Sequence, residues 1–242
     1  MKPHVLCLML SSIDGRLHAS KWTKSPDGDP KQWSTLYEQY QDTLAADAWL
    51  VGRTTMAEMS KATAHRVKQG DLPTRPVHRA ATTNGPFAIA VDTSGSLHFD
   101  KPAVNGNPVI VALGADVADE HLRELAADGV SYLVAEEAAI DLAAMLETLS
   151  TTFGIRRLAL EGGAAINGSF FAAGLVDELQ VIVGPGLDGR TGAQGIIEHG
   201  TDGLAGRVEL RFVGCEPMAS GCVRLRYAVD RARVAEPSGP RP

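Results

Sequence analysis

Short apolar runs closed by turn residues alternate along this chain with segments whose apolar side chains return every three or four positions, the pattern of strands exchanging with helices. The first run, Val5-Leu6-Cys7-Leu8-Met9-Leu10, is continuous and stops at Ser11-Ser12-Ile13-Asp14-Gly15. That pattern predicts a strand buried on both faces and central in its sheet. Thr35 and Glu38 have capping-box spacing and Leu36, Tyr40 and Leu44 follow at helical intervals, predicting a helix from Leu36 to about Asp47. Ala48 to Val51 reads as strand, Gly52 to Thr55 as its turn, and Met56 to Met59 as the start of a helix. Residues Lys61 to Pro86, interrupted by Gly70, Pro73 and Pro76, are expected to be mostly loop.

The alternation then resumes. Strands are predicted at Phe87 to Val91, Val109 to Leu113 and Ser131 to Ala135, and a helix at Ala118 to Ala127 closed by Gly129. Asp141 is placed to cap a helix carrying Leu142, Met145, Leu149 and Phe153, with Gly154 as its stop. After Arg157 to Gly163 a short helix near Ala165 to Ala173 ends at Gly174. Leu179 to Val183, Arg207 to Val213 and Val223 to Val229 follow as strands without helices between them, which implies antiparallel pairing. The whole reads as an α/β fold of one domain, a mixed and mostly parallel sheet flanked by helices with antiparallel C-terminal strands.

Composition narrows the partners. With 23 basic and 29 acidic residues the formal charge is −6, so no basic field is available for a nucleic-acid backbone or an anionic membrane. No apolar stretch approaches the ~20 residues of a membrane span, and the three cysteines form no C-x-x-C pair, which points to a cytosolic protein without a disulfide framework. The histidines show no H-E-x-x-H or similar spacing and are read as structural or exposed, with no metal expected.

Glycine, at 25 residues, is where chemistry is sought. Turns that follow strands and open helices offer backbone N–H groups to phosphates. Gly52-Arg53-Thr54-Thr55 and Glu161-Gly162-Gly163-Ala164-Ala165 have that context, and Ser11 to Arg16 sets the carboxylate of Asp14 beside the central strand. Gly184-Pro185-Gly186-Leu187-Asp188-Gly189 fits G-x-G-x-x-G but is followed by Arg190-Thr191-Gly192-Ala193-Gln194-Gly195, so no helix opens there and a loop is expected.

Ser12 to Arg16, Val51 to Thr55, and Glu161-Gly162-Gly163-Ala164-Ala165-Ile166-Asn167-Gly168-Ser169-Phe170 with Leu175 to Leu179 resemble the pyrimidine reductase family of riboflavin biosynthesis, over about residues 4 to 229. This family forms the reductase half of a bifunctional deaminase–reductase and has a dihydrofolate-reductase-like fold. No deaminase zinc signature is present, so a stand-alone reductase or a paralogue is expected, with residues 1–230 as the reductase domain and 231–242 as a disordered tail.

The resemblance implies NADPH as cofactor and a phosphorylated ribosylamino-pyrimidine as substrate, the 5-amino-6-(5-phosphoribosylamino)uracil of riboflavin biosynthesis, and a homodimer in the cytoplasm. It places Thr54 at the cofactor, where the turn also offers Gly52, Arg53 and Thr55. The turn from Gly163 to Ser169 falls at the pyrophosphate, so Gly162, Gly163, Ala164, Ala165, Ile166 and Asn167 are cofactor candidates, with Thr93 at the adenosine end and Ser11 and Trp22 at further cofactor contacts. Glu161 aligns with a substrate-contacting acid, and Glu58 stands where the family has aspartate. Reduction at the ribosyl C1′ needs one carboxyl to manage a proton, and Glu161, Glu58 and Asp14 are the candidates. Lys21, Lys24 and Arg53 are candidates for phosphates. Two rivals stand beside this reading: a pterin or other small-molecule reductase on the same fold, and a non-catalytic nucleotide-binding regulator.

Overall fold

The first strand, β1 (His4–Ser11), buries Val5 to Met9 against neighbours on both sides, as its unbroken apolar run requires. The computed structural model describes residues 1–65, 74–80 and 85–231. A 3₁₀ turn at Ala19–Lys21 leads to α1 (Pro30–Thr43). This helix starts ahead of the expected Leu36. Asp29 and Gln32, rather than Thr35 and Glu38, form its capping box: the Asp29 carboxylate accepts from the Gln32 N–H at 2.9 Å and the Gln32 carbonyl oxygen from the Asp29 N–H at 3.0 Å. Pro30, with φ preset for a helix, follows at the first position. The helix also stops short of Asp47, whose carboxylate instead accepts from the N–H groups of Arg156 and Arg157 at 2.8 and 2.9 Å.

Next come β2 (Ala48–Gly52), α2 (Arg53–Ser60), β3 (Val77–His78), β4 (Phe87–Asp92), β5 (Ala103–Val104), β6 (Asn107–Leu113), α3 (Asp119–Ala127) and β7 (Ser131–Val134). They are followed by α4 (Leu142–Phe153), β8 (Arg157–Leu160), α5 (Ala164–Ala172), β9 (Glu178–Val183), β10 (Val208–Pro217) and β11 (Val223–Arg231). Asp141 caps α4 through the N–H groups of Ala143 and Ala144, and Gly154 ends it with φ +74°, as their positions in the sequence predict. The expected loop between Lys61 and Pro86 contains the short strand β3; residues 66–73 and 81–84 of that span, and the expected tail after residue 231, lie outside the described residues.

Among the described residues the strands run β10-β11-β9-β1-β8-β2-β4-β6-β7-β3, with β5 paired to β6. From β9 to β7 every neighbouring pair is parallel. The antiparallel reading of the last three strands holds for β10 and β11 but only on one side of β9, which pairs with β1 in parallel and with β11 antiparallel. The cause is α5, short as it is, which carries the chain across from β8 to β9 as a crossover.

Side chains alternate across β1, and each face has its own core. Leu6 and Leu8 pack in a cluster with Trp33, Met56, Leu122 and Leu125 from α1, α2 and α3. Val5, Cys7 and Met9 pack with Leu146, Leu149, Phe170 and Phe171 from α4 and α5. Each such buried side chain contributes about 1.5–3 kcal/mol, so both helix layers are held to the sheet by apolar burial.

Candidate active site

Because β1, β8, β2 and β4 are parallel neighbours, their C-terminal ends open on one edge of the sheet, where ligands of open α/β folds bind. Two glycine turns are bonded together there. The Gly52 N–H donates to the Gly162 carbonyl at 2.9 Å and the Glu161 N–H to the Leu50 carbonyl at 2.9 Å, extending the β2–β8 ladder into the turns. Gly162 has φ +113°, a conformation that glycine alone adopts without strain.

Gly52 and Gly163 are the N-caps of α2 and α5, and neither supplies a capping side chain. A Cβ on Gly163 would lie 3.7 Å from the Thr55 hydroxyl, so the two helix starts are adjacent. Their first-turn N–H groups and the positive ends of both dipoles face a cavity of about 490 Å³. It is lined by Gly52, Arg53, Thr54, Thr55 and Glu58 from one turn, and by Glu161, Gly162, Gly163, Ala164, Ala165 and Ile166 from the other, with Thr93 at the end of β4. Arg53 and Thr93, with Ser94 and Asp116, also line a further hollow beyond it. Arg53 is exposed and makes no side-chain hydrogen bond among the described residues. Uncapped donors beside an unpaired guanidinium are what a diphosphate needs, and the residues fit a dinucleotide laid across the glycine backbone.

A second cavity, about 660 Å³, adjoins the first, with Met9, Leu17 and Glu161 in the walls of both. Its polar lining comes from α1 (Ser34, Tyr37, Glu38, Gln41, Asp42) and from Asn105 and Asn107 around the start of β6. Glu161 stands between the two spaces. One of its carboxyl oxygens is buried without a hydrogen-bond partner among the described residues. Burial pushes the pKa of this carboxyl up to about 8, opposed by the phenol of Tyr37. At neutral pH the group is therefore mainly a carboxylic acid. The Tyr37 O–H is itself committed to the Leu8 carbonyl at 3.1 Å.

The sequence that builds this site matches the RibD C-terminal domain family over residues 3–223. The chain belongs to that family. A 2,5-diamino-6-ribosylamino-4(3H)-pyrimidinone 5′-phosphate reductase of Methanothermobacter thermautotrophicus is 27% identical to this RibD C-terminal domain over 215 residues, covering 88% of this chain and 92% of the relative. A reductase of the same name from Archaeoglobus fulgidus is 28% identical over 192 residues, 76% of this chain and 81% of the relative. The RibD structure of Acinetobacter baumannii superimposes with a TM-score of 0.64 at 23% identity, covering 95% of this chain and 58% of that one. A pyrimidine reductase-like protein from Corynebacterium diphtheriae gives 0.66 at 18% identity, covering 95% and 92%. These structures share the fold of this chain.

The remaining residues singled out in the sequence lie elsewhere in the RibD C-terminal domain. Asp14 lines neither cavity. Its carboxylate accepts from the Ser12 hydroxyl at 2.6 Å and from the N–H groups of Asp188 and Gly189 at 3.0 and 2.8 Å, so it anchors the 184–189 loop. Those bonds hold its pKa well below the usual carboxylate range. The same loop packs on Trp22, which a Cβ on Gly184 or Gly186 would strike at 2.8 or 2.9 Å. Trp22 packs with its ring tilted against Trp33 in the core, centroids 5.5 Å apart, and lines neither cavity.

Ser11 is buried, its hydroxyl donating to the Ser12 carbonyl. Asn167 is buried behind the turn, donating to the Ile196 carbonyl at 2.9 Å and touching the Met9 sulfur at 3.1 Å. Lys21 and Lys24 are exposed and line neither cavity. The α1 face of the larger cavity is absent from the sequence reading, although Ser34, Tyr37, Glu38, Gln41 and Asp42 recur at helical intervals as a polar stripe.

Proposed function

We propose that this chain is a nicotinamide-dependent reductase of a ribosylamino-pyrimidine 5′-phosphate, delivering hydride to the ribosyl C1′ and so converting a ribosylamino into a ribitylamino group. The observation that carries the reading is Glu161, an acid with one buried, unpartnered oxygen, raised by burial to about 8 and shared by the walls of a diphosphate-suited cavity and of a polar, substrate-sized one. When bound, a reduced nicotinamide supplies the hydride. The chain's own residues do the rest. The helix starts at Gly52 and Gly163 hold and orient the diphosphate, and the walls of the larger cavity hold the pyrimidine through the amides, carboxylates and hydroxyls of α1, Asn105 and Asn107. Glu161 donates its proton to the ribose ring oxygen as the C1′–O bond opens, and the carboxylate left behind faces the cationic C1′–N centre that accepts hydride. General acid catalysis of this kind contributes about 10²–10⁴-fold.

NADPH as the donor is supported by Arg53, Thr93 and Ser94, which gather one guanidinium and two hydroxyls beyond the diphosphate seat, where a 2′-phosphate would fall. The names of the relatives favour the 2,5-diamino-pyrimidinone ring over the aminouracil expected from the motifs alone. Absorbance at the nicotinamide band, followed with each pyrimidine and with NADPH or NADH, tests both points. Oxidation of NADPH by neither pyrimidine, but by a pterin, would replace the substrate assignment. Binding of NADPH without oxidation by any of them would favour a regulatory protein.

Three further points belong to the same proposal. One sheet threads every strand from β1 to β11, in keeping with a single reductase domain at residues 1–230. The edge strand β10 exposes Leu210, Phe212 and Val213 at 49, 61 and 48%, a surface suited to pairing with a second copy as a homodimer. Cytoplasmic location is supported by three free cysteines and by the absence, among the described residues, of any helix long and apolar enough to cross a membrane.

A further inference from the structure

Beside the Asp92 to Ser96 turn, where a Cβ on Gly95 would lie 3.1 Å from the His121 ring, imidazoles and carboxylates from three separate segments converge. His121 and Glu124 lie one turn apart on α3, and His98 enters from the loop after β4. One ligand atom from each of these three lies within 4.8 Å of the others. His98 Nδ1 is 2.6 Å from Glu124 Oε1. The His98 and His121 rings meet edge to face with centroids 5.4 Å apart.

His121 is 8% exposed and Glu124 6%, and His121 Nε2 is buried with no hydrogen-bond partner among the described residues. A buried imidazole nitrogen without a partner has lost its solvation, a cost that a ligand at the cluster would remove. His65, beyond α2, brings Nδ1 to 3.5 Å from the same Glu124 oxygen and 3.4 Å from the Thr63 carbonyl while its Nε2 lies 3.1 Å from Asp128 Oδ1, so that it forms a second cluster with Glu124 and Asp128 beside the first.

We infer that His98, His121 and Glu124 form a binding site for a divalent transition cation of the zinc class, with His65 turning from the Thr63 carbonyl to supply the fourth ligand and Asp128 as the residue that positions it. Borderline imidazole nitrogens with one carboxylate suit zinc, cobalt and nickel rather than magnesium or calcium. Bonds of about 2.0–2.1 Å in a tetrahedron place ligand atoms roughly 3.3 Å apart, so the 4.8 Å cluster has to contract while the 2.6 Å His98–Glu124 contact opens. Glu124 and Asp128 balance the charge of one divalent ion. A carboxylate on the outer nitrogen of a histidine is the usual device for fixing the inner nitrogen on a metal. The ion would tie α3 and the segment after α2 to the loop behind Thr93, stiffening the wall of the proposed adenosine end without touching the reacting groups.

The test uses the full chain stripped with chelator, then titrated with zinc against a chromophoric competitor and, separately, with cobalt(II). One zinc per chain is expected, together with the visible absorption of four-coordinate cobalt and a rise in thermal midpoint on zinc addition. Glu124→Gln and His98→Gln should abolish all three. Asp128→Asn should weaken zinc by about tenfold to a hundredfold with stoichiometry retained. His98 is only partly buried, so its variant keeps the test open if the Glu124 variant fails to fold, with circular dichroism as the check. No zinc bound by the wild type, or zinc bound equally by a folded His98→Gln, would overturn the site and leave an ion-pair network in its place.

Discussion

Replacing Glu161 by glutamine separates what this acid does for chemistry from what it costs the fold. Its carboxyl titrates near 8 in the folded protein, against an ordinary 4.5, because burial disfavours the anion. A raised carboxyl value means that the folded state binds the proton more tightly than the unfolded chain does. The stability tied to that proton is therefore fully present below about 4.5 and is lost as pH rises through 8. At about 1.4 kcal/mol per tenfold, the interval from 4.5 to 8 is worth roughly 5 kcal/mol at full ionisation, of which roughly 4 falls between pH 5 and 9. Glutamine keeps the shape and cannot ionise.

The difference in unfolding free energy between Glu161→Gln and wild type should therefore grow in favour of the variant by roughly 4 kcal/mol from pH 5 to pH 9, as read by urea denaturation at each pH. Over the same range its turnover should fall at least about tenfold, with nicotinamide affinity almost unchanged, because the lost proton acts on the substrate. Stability curves that run parallel with pH would refute the buried acid, and wild-type turnover would refute its role.

Gly162→Ala forces a side chain onto φ +113° and brings a Cβ to 3.4 Å from the Met9 methyl, so a loss of about 1–2 kcal/mol in thermal unfolding and weaker nicotinamide binding by fluorescence titration are expected. Asp14→Ala removes the anchor of the 184–189 loop. Because its folded carboxyl sits below the usual range, the stability it adds is present above the ordinary 3.8 and lost as pH falls. The variant should unfold earlier at neutral pH, show a flatter acid limb, and expose the loop to proteolysis; lost turnover with unchanged unfolding would return Asp14 to catalysis. Phe212→Lys on β10 should give monomers in sedimentation velocity, against the dimer proposed for the wild type, and an unchanged dimer would place the interface elsewhere.

Elements whose boundaries are set by their own residues were legible in the sequence. The α4 helix begins at Asp141 and ends at Gly154 because a capping carboxylate and a left-handed glycine act within a few residues of themselves. The start of α1 was not, since Thr35 with Glu38 and Asp29 with Gln32 are both local capping boxes. What accompanies the earlier start is tertiary: Trp33 is buried and its indole N–H donates to the Ser220 carbonyl at 3.0 Å. The direction of β9 was hidden for a similar reason, because the apolar residues of α5 do not gather on one face and Asn167 is itself buried, which leaves no amphipathic signature of a crossover.

Glycine turns that open helices, the acid beside them and the order of these motifs are properties of sequence, since they rest on backbone freedom and short-range spacing. The sequence alone therefore determined the fold class, the family and the two turns that suit a diphosphate. It left Glu161, Glu58 and Asp14 equal. Only the tertiary structure separates Glu161 from Asp14, because a carboxyl's protonation follows its desolvation and its partners: burial raises Glu161, while the Ser12 hydroxyl and the Asp188 and Gly189 N–H groups lower Asp14. The convergence of His65, His98 and His121 on Glu124 was likewise out of reach, for ligands on three separate segments have no spacing to read until the sheet brings them together.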